Sequence, residues 1–88
     1  MIQNIQMIGC TANPKAVSAL AKNDGTVETV TFQFNICGTP ASASATFGPA
    51  PSDQKVVKAA HSVSGTCLVT VTGGGKSDSM VLNLDTCS

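Results

Sequence analysis

Apolar and polar residues alternate most regularly in TVETVTFQFNIC, from Thr26 to Cys37. Val30, Phe32, Phe34 and Ile36 fall on one side, and Thr29, Thr31, Gln33 and Asn35 on the other. Side chains alternate across a strand, so the pattern predicts a half-buried β-strand. GTCLVTVTGG repeats it, with Cys67, Val69 and Val71 opposed to Leu68, Thr70 and Thr72. In SMVLNLDTC, Met80, Leu82 and Leu84 oppose Val81, Asn83 and Asp85, and the two runs are expected to form a hairpin around GGGKSD.

The remaining segments are less regular. AVSALAKNDGTVETV fits a short helix begun at Asn13-Pro14, but a strand from Ala16 to Lys22 is favoured, paired across Asn23-Asp24-Gly25 with the strand beginning at Thr26. A helix of this length would bury only Val17, Leu20 and a few alanines. In PSDQKVVKAAHSVSG, Ser52 resembles a helix N-cap and Gly65 a stop, so Ser52–Ser62 is open between strand and short helix. CGTPASASATFGPAPSD is expected to be loop around one short strand, Ala43 to Phe47. Seven candidate segments, most of them strands separated by turn signals, predict a small all-β, antiparallel two-sheet sandwich, with residues 1–88 as one domain.

A chain of 88 residues buries a modest share of its surface and is expected to need cross-links. Cys10, Cys37, Cys67 and Cys87 supply them: an even number, widely spaced, with no C-x-x-C pair and one histidine, which reads as two disulfides rather than a zinc site. Disulfides imply an extracellular, cell-surface or virion-surface setting, with a leader or larger precursor removed ahead of Met1. Only 11% of residues are charged, the five basic residues are all lysine, and Trp and Tyr are absent. Nucleic-acid binding calls for a basic stripe and stacking platforms, so no nucleic-acid partner is expected. The apolar runs are too short to span a bilayer, so membrane insertion is not expected.

Ala45-Thr46-Phe47-Gly48, then His61-Ser62-Val63-Ser64-Gly65-Thr66-Cys67-Leu68-Val69-Thr70-Val71-Thr72, then Gly75-Lys76-Ser77-Asp78-Ser79 resemble the second half of a polycystic-kidney-disease (PKD) domain. That family carries W-D-F-G-D-G, H-x-Y, P-G-x-Y-x-V-x-L-x-V and a last strand; Val30-Thr31-Phe32 is similar to its V-T-F strand. The likeness covers Val27 to Leu84. The chain departs from the family where Ala45-Thr46 replace Trp-Asp, Pro49-Ala50 replace Asp-Gly, and Val63 and Cys67 replace tyrosines. The resemblance implies an immunoglobulin-like sandwich, a surface or binding setting and no activity. It also favours strand over helix after Ser52, and disulfides substitute for the missing core aromatics.

A turn centred near Ser77 would set Cys67 opposite Cys87 within disulfide reach, which leaves Cys10 for Cys37; the rival is a bridge between sheets. His61 is flanked by Ser62 and Ser64, with Ser77 further on, but there is no G-x-S-x-G elbow, so no catalytic residues are assigned. Asp24, Asp53, Asp78 and Asp85 are scattered and form no calcium loop, so no metal site is assigned, and no cofactor is expected. Gly73-Gly74-Gly75-Lys76-Ser77 lacks phosphate-loop spacing.

A Ser/Thr/Ala/Gly-rich surface with few charges suits a subunit packed against protein. The expected function is a non-enzymatic structural or assembly module of a fibre, surface layer or phage particle, whose partner is a copy of itself or a host scaffold. The alternative is a monomeric, secreted protein-binding module or inhibitor presenting the loops Gly38–Ala45, Gly48–Asp53 and Gly73–Asp78. Its candidate contact residues are Thr39, Pro40, Pro49, Pro51, Gly74 and Lys76. Lys15, Lys22, Lys55 and Lys58 are expected to guard open strand edges.

Overall fold

The computed structural model describes residues 1–87 and contains seven strands: β1 (Ile2–Ala12), β2 (Lys15–Asn23), β3 (Glu28–Ile36), β4 (Thr39–Phe47), β5 (Gln54–Ala60), β6 (Thr66–Gly73) and β7 (Lys76–Asn83). They form two antiparallel sheets, ordered β1-β2-β5 and β4-β3-β6-β7. This strand order is that of an immunoglobulin-like sandwich. Between the sheets lies one apolar cluster that includes Ile2, Met7, Val17, Phe32, Ile36, Phe47, Val69 and Val71. Phe32 and Phe47 meet edge to face, with ring centroids 6.2 Å apart.

The alternations in β3, β6 and β7 hold: Val30, Phe32, Phe34 and Ile36 are buried, as are Val69 and Val71, while Met80 and Leu82 are half-buried against the core. β1 has no single alternation because its register shifts twice, between Ile2 and Asn4 and between Met7 and Gly9. The shift near Asn4 lets Ile2 and Ile5 both face inward although three positions separate them.

Four expectations need correction. First, β2 and β3 do not form a hairpin; β2 pairs with β1 and β5, and the chain crosses to the other sheet after Asn23. Buried Asn23 donates from Nδ2 to the Thr26 carbonyl (2.9 Å), and Asp24 Oδ1 accepts from the Thr26 N–H (3.1 Å). These bonds wrap the segment around Thr26 instead of closing a two-residue turn.

Second, most of Gly38–Ala45 is strand. A tight turn at Cys37-Gly38, both with positive φ (55° and 87°), starts β4 at Thr39. This is the paired left-handed geometry of a two-residue hairpin loop. The question left open after Ser52 resolves as strand: Val56-Val57 gain a partner in β2, where Leu20 faces Val56 and Ala19 faces Val57.

Third, the β6–β7 turn is Gly74-Gly75 (φ 56° and 80°), so Cys67 faces Leu82 and not Cys87. The expected centre near Ser77 lay past the two glycines that can take this conformation. Lys76 therefore begins β7 rather than sitting in a loop.

Fourth, the bridges are Cys10–Cys87 and Cys37–Cys67, with Cα separations of 5.3 and 5.5 Å. β6 lies beside β3, with Val69 opposite Ile36, which brings Cys67 to Cys37. β1 lies along β7 at the seam of the sandwich, where the Met7 N–H donates to Asp78 Oδ2 (2.7 Å). Cys10–Cys87 thus joins one sheet to the other, the rival arrangement. Both bridges sit at the end of the sandwich that holds the β3–β4 turn and the start of β6. They suit an oxidising, extracellular-type environment. No helix of the described residues is long and apolar enough to cross a membrane.

Candidate functional site

The four-stranded sheet presents its outer face through every second residue of each strand. β4 contributes Pro40, Ser42, Ser44 and Thr46; β3 contributes Thr29, Thr31, Gln33 and Asn35. β6 adds Thr66, Leu68, Thr70 and Thr72, and β7 adds Ser77, Ser79, Val81 and Asn83. None of these sixteen side chains is charged, and fifteen are exposed. Cross-strand registry aligns their hydroxyls: Thr29 with Thr46 at 2.9 Å and Thr31 with Ser44 at 3.1 Å. Over β3 and β6 the face dips into an open groove of about 530 Å³, lined by Gln33, Asn35, Gly38, Pro40, Thr70 and Thr72 and by part of Phe34. Asn35 Oδ1 accepts from the Gly38 N–H (2.8 Å), which fixes the amide at the groove wall. The face is rich in neutral hydrogen-bonding groups and poor in acid or base.

Charge lies elsewhere. Lys15, Lys22, Lys55 and Lys58 all belong to β2 and β5, in the three-stranded sheet. Three carboxylates bind backbone amides, Asp24 taking the Thr26 N–H, Asp78 the Met7 N–H and Asp85 the Gly65 N–H (3.2 Å), while Asp24 and Glu28 pair with the Met1 amine. No three His, Cys, Asp or Glu side chains cluster among the described residues. Ser64 Oγ accepts from Lys15 Nζ (3.3 Å), and Ser77 stands on β7, apart from His61.

His61 caps the end of β5. Its backbone N–H donates to the Lys15 carbonyl (3.1 Å), and its Nδ1 accepts from the Val63 N–H (3.1 Å). Burial first, and the Lys15 ammonium second, hold the imidazole below its ordinary 6.5. A depressed histidine is neutral in the fold and protonates more readily when unfolded, so stability is whole above about pH 6.5 and falls as pH drops toward the lower folded value. Denaturation midpoints measured from neutral to mildly acid pH should show this decline, and His61→Gln should flatten it. An equal slope in the variant would refute the assignment.

The candidate contact residues do not converge. Thr39 and Pro40 open β4 at the disulfide-linked end, whereas Pro49 and Pro51, in the β4–β5 loop, and Gly74, in the β6–β7 turn, lie at the opposite end with Lys76. Only Pro40 reaches the groove.

Comparison with known proteins finds no matching family model, no matching curated protein and no matching solved structure. The site is therefore read from its chemistry alone.

The uncharged face was visible in the sequence only as scarcity of charge. Its location depended on the full length of β4, of which only Ala43 to Phe47 was expected as strand, the Ser-Ala alternation before it carrying too little hydrophobic contrast. The T-x-T pairs, Thr29/Thr31 and Thr70/Thr72, were the available clue.

Proposed function

We propose that this protein is a non-enzymatic structural module of an extracellular or particle surface, working by packing the outer face of its four-stranded sheet against further copies of itself. The observation that carries this reading is the segregation of charge: sixteen outward positions without one ionisable group, while four of the five lysines sit on β2 and β5. A solvated surface normally intersperses both signs, and the core of a protein interface is depleted of charge.

Size is consistent with a repeating contact. Four strands at about 4.8 Å spacing and roughly 26 Å length give a footprint of about 500 Å² in plan, somewhat under the ~800 Å² each partner gives to a stable pair. A contact of this size holds best when repeated across many subunits. The alternative, a monomeric binder presenting three loops, loses one of them: Gly38–Ala45 is mostly strand and begins at the end opposite the other two.

Sedimentation from micromolar to millimolar protein should show mass growing with concentration, and Thr70→Lys, at the groove, should suppress it. A single monomer boundary at every concentration would overturn self-assembly.

A further inference from the structure

The four outermost strands differ in how their edges are closed. β1 and β7 run side by side, joined by the Met7–Asp78 hydrogen bond and the Cys10–Cys87 bridge, and β1 is broken by two register shifts. β5 carries Lys55 and Lys58. Lysines, irregularities and covering contacts are the devices that keep an edge from recruiting another strand. β4 carries no charge and no register shift over its nine residues; its only such devices are Pro40 at its second position and its proximity to β5, and among the described residues no hydrogen bond from β5 closes its outer backbone groups.

Register identifies which backbone groups are free. The two-residue turn makes Ile36 and Thr39 a hydrogen-bonded pair, so Thr39, Ala41, Ala43 and Ala45 bond to β3. The intervening Pro40, Ser42, Ser44 and Thr46 point their backbone groups away from the sheet. Pro40 agrees with this assignment, because a residue without an N–H is tolerated only where the ladder needs no donor. Among the described residues, no donor or acceptor meets the outer backbone groups of Ser42, Ser44 and Thr46.

We infer that β4 is a homotypic assembly edge, pairing antiparallel with β4 of a second copy about a two-fold axis at Ser44. That register sets Ser42 opposite Thr46 of the other copy, and Ser44 opposite its own counterpart. The three resulting hydrogen-bonded pairs exchange six backbone hydrogen bonds. Each residue brought together is small and neutral, so the axis meets neither like charge nor bulk. The two sheets fuse into one of eight strands, and the uncharged faces become continuous. This inference rests on the self-assembly reading and names the contact that begins it.

A thiol at the axis tests the register directly. Directly opposed residues in a hydrogen-bonded pair have Cα atoms about 5.5 Å apart, within disulfide range. Ser44→Cys, oxidised with glutathione disulfide, should yield a dimer linked between the two position-44 thiols by peptide mapping, with both native bridges intact. Ser42→Cys, which faces Thr46, should not link to itself, whereas Ser42→Cys/Thr46→Cys should link crosswise. Ser44→Lys should raise the dimer dissociation constant at least about tenfold by opposing two ammonium groups. Position 44 is exposed, and native bridge mapping confirms the fold of each variant.

If the wild type associates but Ser44→Lys does not weaken it and Ser44→Cys stays unlinked, while Thr70→Lys disrupts it, the edge inference is overturned and the face reading stands. A wild type monomeric at all concentrations overturns both.

Discussion

Replacing Cys10 and Cys87 together by serine should lower the unfolding free energy by about 4.5 kcal/mol, the larger of the two bridge losses. The chain-entropy argument sets the ranking. This bridge spans 77 residues and the Cys37–Cys67 bridge spans 30, so the second loss should be about 3.5 kcal/mol. A domain of this size has a total of the order of 5–10 kcal/mol, so either variant leaves a marginal protein and both together leave an unfolded one. The longer bridge also joins two sheets that share no backbone ladder, whereas Cys37–Cys67 reinforces the hydrogen-bonded pairing of β3 and β6. Guanidinium denaturation of the oxidised proteins measures both losses. A Cys10/Cys87 variant within about 1 kcal/mol of wild type would show that this bridge does not limit the unfolded chain.

Phe32→Ala should cost about 3–5 kcal/mol, the range for emptying a buried aromatic site. Phe32 is 1% exposed, stands edge-on to Phe47, and covers the end of β6. The last contact explains a glycine: a Cβ at Gly73 would come within 2.4 Å of Phe32 Cδ1. Gly73→Ala should therefore cost roughly 1–3 kcal/mol through overpacking. Placed in a Phe32→Ala background, the same change should cost much less, because the ring it strikes has gone. The double-mutant cycle reads that difference directly, and strict additivity would mean that the ring and the glycine do not share this space.

How much of this was legible follows from how local each signal was. β3, β6 and β7 announced themselves because bulky apolar residues alternate with threonine or asparagine. Of β4 only the second half, Ala43 to Phe47, was expected as strand; alanine against serine gives almost no contrast, so residues 39–42 read as loop and only pairing with β3 makes them strand. β1 was obscured by its register shifts, which break the two-residue period at the positions that bring Ile2 and Met7 inward. The cysteine pairing was out of reach for a different reason. Cys67 meets Cys37 because β6 docks on β3 after an excursion through the other sheet, and nothing near either cysteine encodes that neighbour. The turn could have been placed better: Gly74-Gly75 forms a two-residue hairpin more readily than any turn centred at Ser77. As for the site, the sequence showed that charge was scarce but not that one outer sheet face would be free of it while four of the five lysines lie on the other sheet.

The Cys10–Cys87 bridge also governs how the protein bears load. Tension arriving through the chain before β1 reaches Cys10, crosses the bridge to Cys87, and leaves without passing through anything between them. Residues 11–86 form a closed covalent ring off the line of force. What can be peeled away is the leading part of β1, residues 2–9, which carries Ile2, Ile5 and Met7 and is already extended in the fold. Pulled from its ends, the bridged module would therefore gain almost no length, residues 11–86 staying closed behind the bridge. Reduction of that one bond would turn an inextensible link into a fully extensible one.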